Sequence, residues 1–538
     1  MNKPCLKTFI VLIVALTFIG LAVIYKCVHR KSNHLFQKTR NNIEQYVQET
    51  NIPSISVAVA KNGKILWEES FGLANVEEKI KATPKTMYHL GSLGKVYTAT
   101  AIMLLKERGL IDLDKPANEY LGKVKIEAYE GDINDVTIRR ILNHTSGLPW
   151  MWTHLYQNEL AQRPSWDEVI SHYGKIVSPP GDRYIYSNLG FGILGNIIER
   201  ISGKSYDKFM ESEVFNPLGL TRTMVDTGPC NEENIAQKYT HQGRVPYFDM
   251  ICKGGGTVFA SAHDLVSFGM FHLKNHLVSQ KPVLSDISID QMQSAAKSRS
   301  PQSSYRIGWH ISKRFGYHTV EHGGHVLGAK AELRLIPSKN IAVAVLSNGD
   351  ETDTSKINDW IFSELLTRYK FLSVLRNLFS GGTKTSPRTF SPPSFLIGTW
   401  SGDIVTYEKK HPVQITIEAN GNARMKYVGK NNPDNTGVAP MKGTWLAFNN
   451  GIFTASFPLE IPTPFTKRYP HTAYIETKLH GTILSGYISA QAWEPQMPHF
   501  NVPSYIRLEK ERLRYLSTNP AKQPHASYTI ERPRVCST

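Results

Sequence analysis

From Ser54 the chain alternates, Ser-Ile-Ser-Val-Ala-Val-Ala, passes through Lys61-Asn62-Gly63-Lys64 and resumes with Ile-Leu-Trp-Glu-Glu. Two short period-two runs around Asn-Gly predict a β-hairpin, because both turn residues tolerate the positive φ of a tight connection. The period then changes. Over 93–108, apolar Ala99, Ile102, Met103 and Leu105 fall at helical spacing ahead of Gly109. Mainly helical patterning continues to residue 275, with 190–200 one of its clearer helices. Alternation returns over 329–336 and 341–346, joined by Pro337-Ser338-Lys339-Asn340, and 357–368 reads as a closing helix. Strands at both ends of a segment with helices between them predict an α+β domain. Its single antiparallel sheet pairs the N- and C-terminal parts.

A change of composition ends that domain. Residues 371–394 are expected as a linker, its clearest part the Gly-, Ser- and Pro-rich run 380–394. Short strands bounded by turns then recur at 398–402, 413–417, 423–428, 443–445, 452–457, 473–479 and 483–488. They predict an all-β barrel or sandwich over 395–510. The expected division is therefore a leader at 1–34, an α+β domain at 35–370, the linker, the β domain, and a basic tail at 511–538. A lid, a stabilising module and a ligand-binding barrel are all open roles for the β domain, with structural support expected.

Composition excludes some classes. At 538 residues, 41% hydrophobic and 20% charged, the chain is globular and long enough for more than one domain. The net charge of +16 suggests nucleic acid at first, but seven Lys and Arg with no acid lie in residues 1–40. The tail is basic as well, so no nucleic-acid partner is expected. Residues 9–25 carry no charge and are long enough to span a bilayer, and no small-residue cleavage site follows. An uncleaved membrane anchor is expected. Positive charges after the run argue for a cytoplasmic body, whereas the chemistry below argues for an extracytoplasmic one, which is the expectation adopted. Five cysteines show no metal spacing, and Cys230 and Cys252 leave open either one disulfide or two unpaired thiols. Neither cofactor nor metal is expected.

The candidate chemistry begins with what is missing. There is no Gly-x-Ser-x-Gly elbow and no His-Glu-x-x-His, and the sequence before Gly203-Lys204-Ser205 lacks the leading glycine of a phosphate loop. Ser-x-x-Lys is present three times, at Ser92/Lys95, Ser205/Lys208 and Ser294/Lys297. A serine hydroxyl needs a base to become a nucleophile, and this spacing sets both groups on one helix face. Only Ser92 lies between an extended run, Met87-Tyr88-His89-Leu90, and a long apolar helix, with Gly91 and Gly94 leaving room for a substrate. The other two read as helix caps or surface.

Two further motifs follow Ser92-Leu93-Gly94-Lys95 in order: Tyr186-Ser187-Asn188 and His322-Gly323-Gly324. Together with Asn143-His144-Thr145-Ser146-Gly147, Pro217-Leu218-Gly219-Leu220 and Gly254-Gly255-Gly256, they make residues 40–368 resemble the class C β-lactamase and D-alanyl-D-alanine-peptidase family. The resemblance implies the β-lactamase/DD-peptidase fold and an acyl-enzyme on Ser92. Lys95 and Tyr186 would share the base work. Asn188, His322, Gly323, Gly324 and His325 would bind substrate, with the Ser92 and His325 N–H groups at the oxyanion. Decoys exist: Tyr156-Gln157-Asn158 is a second Tyr-x-Asn, and His89, His172 and His241 each begin another His-x-Gly.

Where the family often has lysine to grip a carboxylate, this chain has His322. A small-molecule or peptide substrate is expected, turned over by a peptidase, amidase or esterase rather than a β-lactamase. The alternative is a membrane-anchored scaffold that retains the fold without catalysis. His144 is expected to stabilise its loop, and Trp150 and Trp152 to be packed in the interior.

Overall fold

The structure, a computed structural model, describes residues 35–156, 159–160, 163–228, 234–294, 303–379, 390–428, 441–492 and 499–511. The expected anchor at 9–25 and the basic tail from 512 lie outside the described residues. No helix among the described residues is long and apolar enough to cross a membrane.

Ser54–Lys61 and Lys64–Asn75 form the hairpin that Asn62-Gly63 encodes, with φ of 51° and 71° at the two turn residues. Ser54–Lys61 also pairs antiparallel with Ile341–Ser347, in the register Val57↔Val345 and Val59↔Val343. The two ends of the domain thus meet in the middle of one sheet. Its eight strands run, from one edge, Ser303–Tyr305, His310–Arg314, Tyr317–Val326, Ala329–Ile336, Ile341–Ser347, Ser54–Lys61, Lys64–Asn75 and Ile80–Lys81.

The central strands are apolar on both faces because both are covered. Val57, Val59, Val343 and Val345 pack against Ile43 of one helix and Ile357, Ile361 and Phe362 of another. Ala58, Ala60, Ala342 and Ala344 belong to the larger core that includes Gly94–Glu107 and Ala262–His272. Small side chains on that face let helices approach closely: a methyl on Gly269 would stand 3.1 Å from the Ala342 Cβ.

Three expectations need correction. The helix expected over 93–108 is preceded by a 3-10 turn, Gly91–Leu93, so Ser92 sits in that turn and Gly94–Glu107 follows. The closing helix is Thr354–Leu365, started by Asp353, whose carboxylate accepts the Lys356 N–H. A second helix, Thr367–Phe379, occupies much of what was expected as linker, because the apolar pattern of Phe371, Leu372 and Leu375 continues the helical period.

Among the described residues beyond 390, nine strands form a nearly closed barrel-like sheet. Its path starts at Met441–Lys442 and ends at Thr444–Asn449, so Gly443 alone separates the two edges in sequence. Phe500–Lys510 was not anticipated as a strand, although it lies between Gly398–Val405 and Ile483–Ala492. Pro503 disguised it, since proline normally avoids central strands. It is tolerated because pairing with Gly398–Val405 starts only at Tyr505, and Phe500 and Asn501 pair instead with Thr153 and Trp152.

That last pairing joins the domains. Trp152–Tyr156 pairs on one side with Phe248–Met250 and on the other with the barrel. Asn501 Nδ2 donates to the Trp150 carbonyl at 2.8 Å, and Arg183 bridges to Glu476 at 2.5 Å.

Strand Tyr317–Val326 passes against the Gly91–Leu93 turn, and Gly324 is what allows it: a Cβ there would collide with the Leu90 carbonyl oxygen. Gly324→Ala is therefore expected to destabilise the protein by about 1–3 kcal/mol, as overpacking against backbone does. Comparison of unfolding midpoints checks this, and an unchanged midpoint would mean that strand and turn are not pressed together.

Candidate active site

The Gly91–Leu93 turn is shaped by its neighbours. Gly91 has φ +53°, and its N–H donates to His89 Nδ1 at 3.1 Å. The turn delivers Ser92 to the mouth of a cavity of about 350 Å3, whose lining also includes Trp150, Trp152, His154, Tyr186 and His325. One helical turn later, Lys95 points back under Ser92 and is fully buried.

Lys95 Nζ has three polar neighbours. Asn188 Oδ1 lies at 2.6 Å, the Gly255 carbonyl oxygen is in direct contact, and Ser92 Oγ lies at 3.2 Å. Burial lowers the Lys95 pKa from its ordinary value to about 7. Tyr186 Oη donates to Ser92 Oγ at 2.6 Å, and burial pushes its phenol well above the usual tyrosine range. The two neighbours of Ser92 therefore differ: the amine is poised to lose its proton, whereas the phenol is held protonated.

Tyr186 and Asn188 are placed by a capping device. Ser187 caps the helix Asn188–Ser202 by accepting the Gly190 N–H, and its own N–H donates to His144 Nδ1 at 3.1 Å. The His144 ring also packs 4.5 Å from the Tyr186 ring. The loop-stabilising part expected of His144 is thus given a specific object, the Tyr186-Ser187 backbone.

The third motif divides. Side chains alternate along Tyr317–Val326, so His322 and His325 fall on opposite faces. His325 lines the cavity with Ser92. His322, expected to bind substrate, is buried instead and does not line it. Its Nδ1 donates to the Gly323 carbonyl at 2.6 Å and its Nε2 accepts from Tyr305 Oη at 2.9 Å. Both nitrogens are thereby used in the neutral tautomer, and burial holds its pKa well below the ordinary histidine value. His322 is no carboxylate anchor. Gly324 supports the turn, and Gly323 leaves open space beside the strand.

The decoys separate as expected where they are described. Ser205 and Lys208 are exposed, and Lys208 pairs with Glu211. Lys297 and the Gln157-Asn158 pair lie outside the described residues. Cys252 is a buried free thiol, and Cys230 lies outside the described residues.

Several site residues escaped the sequence reading. The glycine triplet was noted only as a landmark, yet the Gly255 carbonyl binds Lys95, and a Cβ on Gly254 would strike the Phe191 carbonyl. Trp152 is buried as expected and Trp150 half-buried, and both also line the cavity, the other role open to them, together with His154. The period-two run Trp150-Met-Trp-Thr-His154 carried that signal. His499 reaches the same cavity from the barrel, which no local pattern could disclose.

The Beta-lactamase family model matches residues 39–367. Protein flp of Staphylococcus aureus (strain NCTC 8325 / PS 47) is 25% identical over 358 residues, spanning 64% of this chain and 69% of flp. Among solved structures, the octameric penicillin-binding protein homologue from Pyrococcus abyssi matches with a TM-score of 0.54 and 21% identity. That match covers 87% of this chain and 99% of the homologue. SurE with D-Leu matches with a TM-score of 0.55 and 19% identity, over 89% of this chain and all of SurE. Both structural likenesses extend beyond residues 39–367 into the barrel. Three ordered motifs gathered around one serine and a family match over most of the chain lead to one conclusion: this chain belongs to the Beta-lactamase family of serine hydrolases.

Proposed function

We propose that the protein hydrolyses an amide, peptide or ester through an acyl-enzyme on Ser92, with Lys95 as general base. The observation that carries this reading is the set of neighbours around Lys95 Nζ. A neutral amine has two N–H donors and one lone pair. Asn188 Oδ1 and the Gly255 carbonyl can only accept, so they take both N–H groups and turn the lone pair to the third neighbour, Ser92 Oγ.

As Oγ attacks the substrate carbonyl carbon, its proton passes to Nζ. The resulting ammonium then has three N–H groups for three acceptors already in place. Tyr186, protonated, orients Oγ by donating to it rather than serving as a second base. The backbone N–H groups of Ser92 and His325 are assigned to the carbonyl oxygen as it becomes an oxyanion. Because Asn188 Oδ1 is committed to Lys95, the group Asn188 offers to substrate is its Nδ2 amino group, a donor to a substrate carbonyl. As the intermediate collapses, the Lys95 ammonium passes its proton to the departing amine or alcohol. The neutral amine then takes a proton from water, which attacks the Ser92 ester, and returns it to Ser92 Oγ as the acid leaves.

The cavity bears on substrate class. Among the described residues its lining places Trp150, Trp152, Met250 and Leu327 with a single acidic residue, Asp350, and the buried His322 supplies no positive charge. That supports neutral or amine-bearing acyl donors over those with a free carboxylate, and peptidase, amidase or esterase action over β-lactam hydrolysis. SurE, the similar protein solved with D-Leu, supports a D-amino-acid acyl donor. The apolar run 9–25 supports membrane attachment, and the acyl-enzyme chemistry, against the positive charges that follow the run, supports an extracytoplasmic catalytic domain.

A fluorophosphonate probe is expected to label the wild-type protein, and Ser92→Ala to abolish labelling; labelling that survives sinks the assignment. Lys95→Ala is expected to slow acylation by about 10²–10⁴-fold, the ordinary worth of a general base. Only the neutral amine can accept a proton, so the acylation rate should rise with pH through an apparent pKa of about 7. A flat profile between pH 6 and about pH 8 would remove Lys95 from the base role. For substrate choice, esters should be cleaved faster when the donor lacks a free carboxylate, and Asp350→Asn should narrow that gap; an unchanged gap would dismiss Asp350 as its cause.

A further inference from the structure

The strand Trp152–Tyr156 separates two cavities. Trp150, Trp152 and His154 face the one that contains Ser92, whereas Met151, Thr153 and Leu155 line a second of about 310 Å3. The paired strand repeats the division, with Met250 in the first and Ile251 in the second. The two linings have no residue in common. The far wall of the second cavity is barrel, built from Tyr407, Pro464, Phe465 and Arg468. This space exists only because the domains meet.

Two buried polar atoms in that lining have no hydrogen-bond partner among the described residues, Thr153 Oγ1 and Glu159 Oε1. Thr153 is 3% and Glu159 5% exposed. The other Glu159 oxygen, Oε2, accepts the Tyr156 N–H at 3.3 Å. Buried polar atoms are nearly always paired, so two orphans in one cavity mark a place for something that hydrogen-bonds. An ionised carboxylate can only accept, which calls for a donor, and its charge, answered only in part by Arg468 in the same lining, calls for a second cation. Burial raises the Glu159 pKa, and the nearby Arg468 guanidinium works against that rise.

Apart from Arg468 and His172, the remaining walls are apolar and aromatic. Tyr407 stacks on His172 with ring centroids 4.0 Å apart, and Tyr173 and Phe465 stand beside them. Aromatic faces attract a cationic head and cover an apolar body. The volume lies within the range of small-molecule pockets.

We propose that this interdomain cavity binds a small hydrophobic molecule carrying a primary ammonium group. The ammonium sits on Glu159 and Thr153, and the body lies against Tyr173, Tyr407 and Phe465. The site is distinct from the Ser92 cavity but shares a wall one strand thick with it, so its occupant touches the reverse of the strand that bears Trp152 and His154.

Calorimetric titration of the full chain tests this with two probes of matched body, phenethylamine and 3-phenylpropionate. Phenethylamine should bind saturably at one equivalent, and 3-phenylpropionate should not. Glu159→Gln, which keeps the shape, should weaken phenethylamine binding at least about tenfold, as loss of a buried charge-assisted hydrogen bond does. Tyr407→Ala, on the barrel side and half-buried, gives a second reading should Glu159→Gln fail to fold, with a loss again expected. Asp350→Asn, in the Ser92 cavity, should leave the affinity unchanged. Absence of binding, equal binding of both probes, or a loss that follows Asp350 rather than Glu159 and Tyr407 would overturn the proposal.

Discussion

The burial of Lys95 is the constraint on which the rest of the site depends. An ammonium in a dry interior is unfavourable, and here the cost appears as a pKa drawn from 10.5 to about 7, roughly 5 kcal/mol of preference for the neutral form. The protein keeps that amine buried by giving it acceptors from three separate places. Ser92 comes from a 3-10 turn, Asn188 from the first residue of a helix, and Gly255 from a short glycine-rich helix. Three elements distant in sequence must converge within hydrogen-bond reach, and much of the surrounding architecture serves that convergence.

The glycines and small residues follow from it. Gly324 lets the strand Tyr317–Val326 reach the Ser92 turn, Gly254 lets the triplet rest on the helix that carries Asn188, and Gly91 adopts the positive φ that sets the nucleophile forward. His89 and His144 hold the two catalytic segments by accepting backbone N–H groups. Burial keeps both histidines well below their ordinary pKa, so these bonds persist across the working pH range. The sheet's central pairing, Ser54–Lys61 with Ile341–Ser347, closes the domain and fixes where Tyr317–Val326 can run. The barrel then adds what the family-matched domain lacks by itself: it covers the outer side of Trp152–Tyr156, brings His499 to the catalytic cavity and closes a second cavity behind it.

The sequence made the local parts of this arrangement legible. Period-two runs, the Asn-Gly turn and the order of three short motifs report on neighbours along the chain, and they located Ser92, Lys95, Tyr186 and Asn188. What depends on a strand's facing was less visible. The motif His322-Gly323-Gly324 names positions but not sides, and the alternation that buries His322 and exposes His325 needs the register with Ala329–Ile336. Trp150 and Trp152 suggested core by their size, although their spacing matched one face of a strand. The Gly255 carbonyl is a backbone atom, so no side-chain chemistry announced it. Pro503 obscured a central strand because its exemption depends on which neighbours pair with Phe500–Lys510.

Catalysis by this site requires that Lys95, aimed at Ser92, loses its proton near neutral pH. An NMR titration of the Lys95 ε-carbon in 13C-lysine-labelled protein, assigned by the Lys95→Arg variant, reads this without any substrate. A midpoint near pH 7 is expected. A midpoint in the ordinary lysine range, near the reference value of about 10.4, would contradict it, since a permanently charged ammonium has no lone pair with which to activate Ser92.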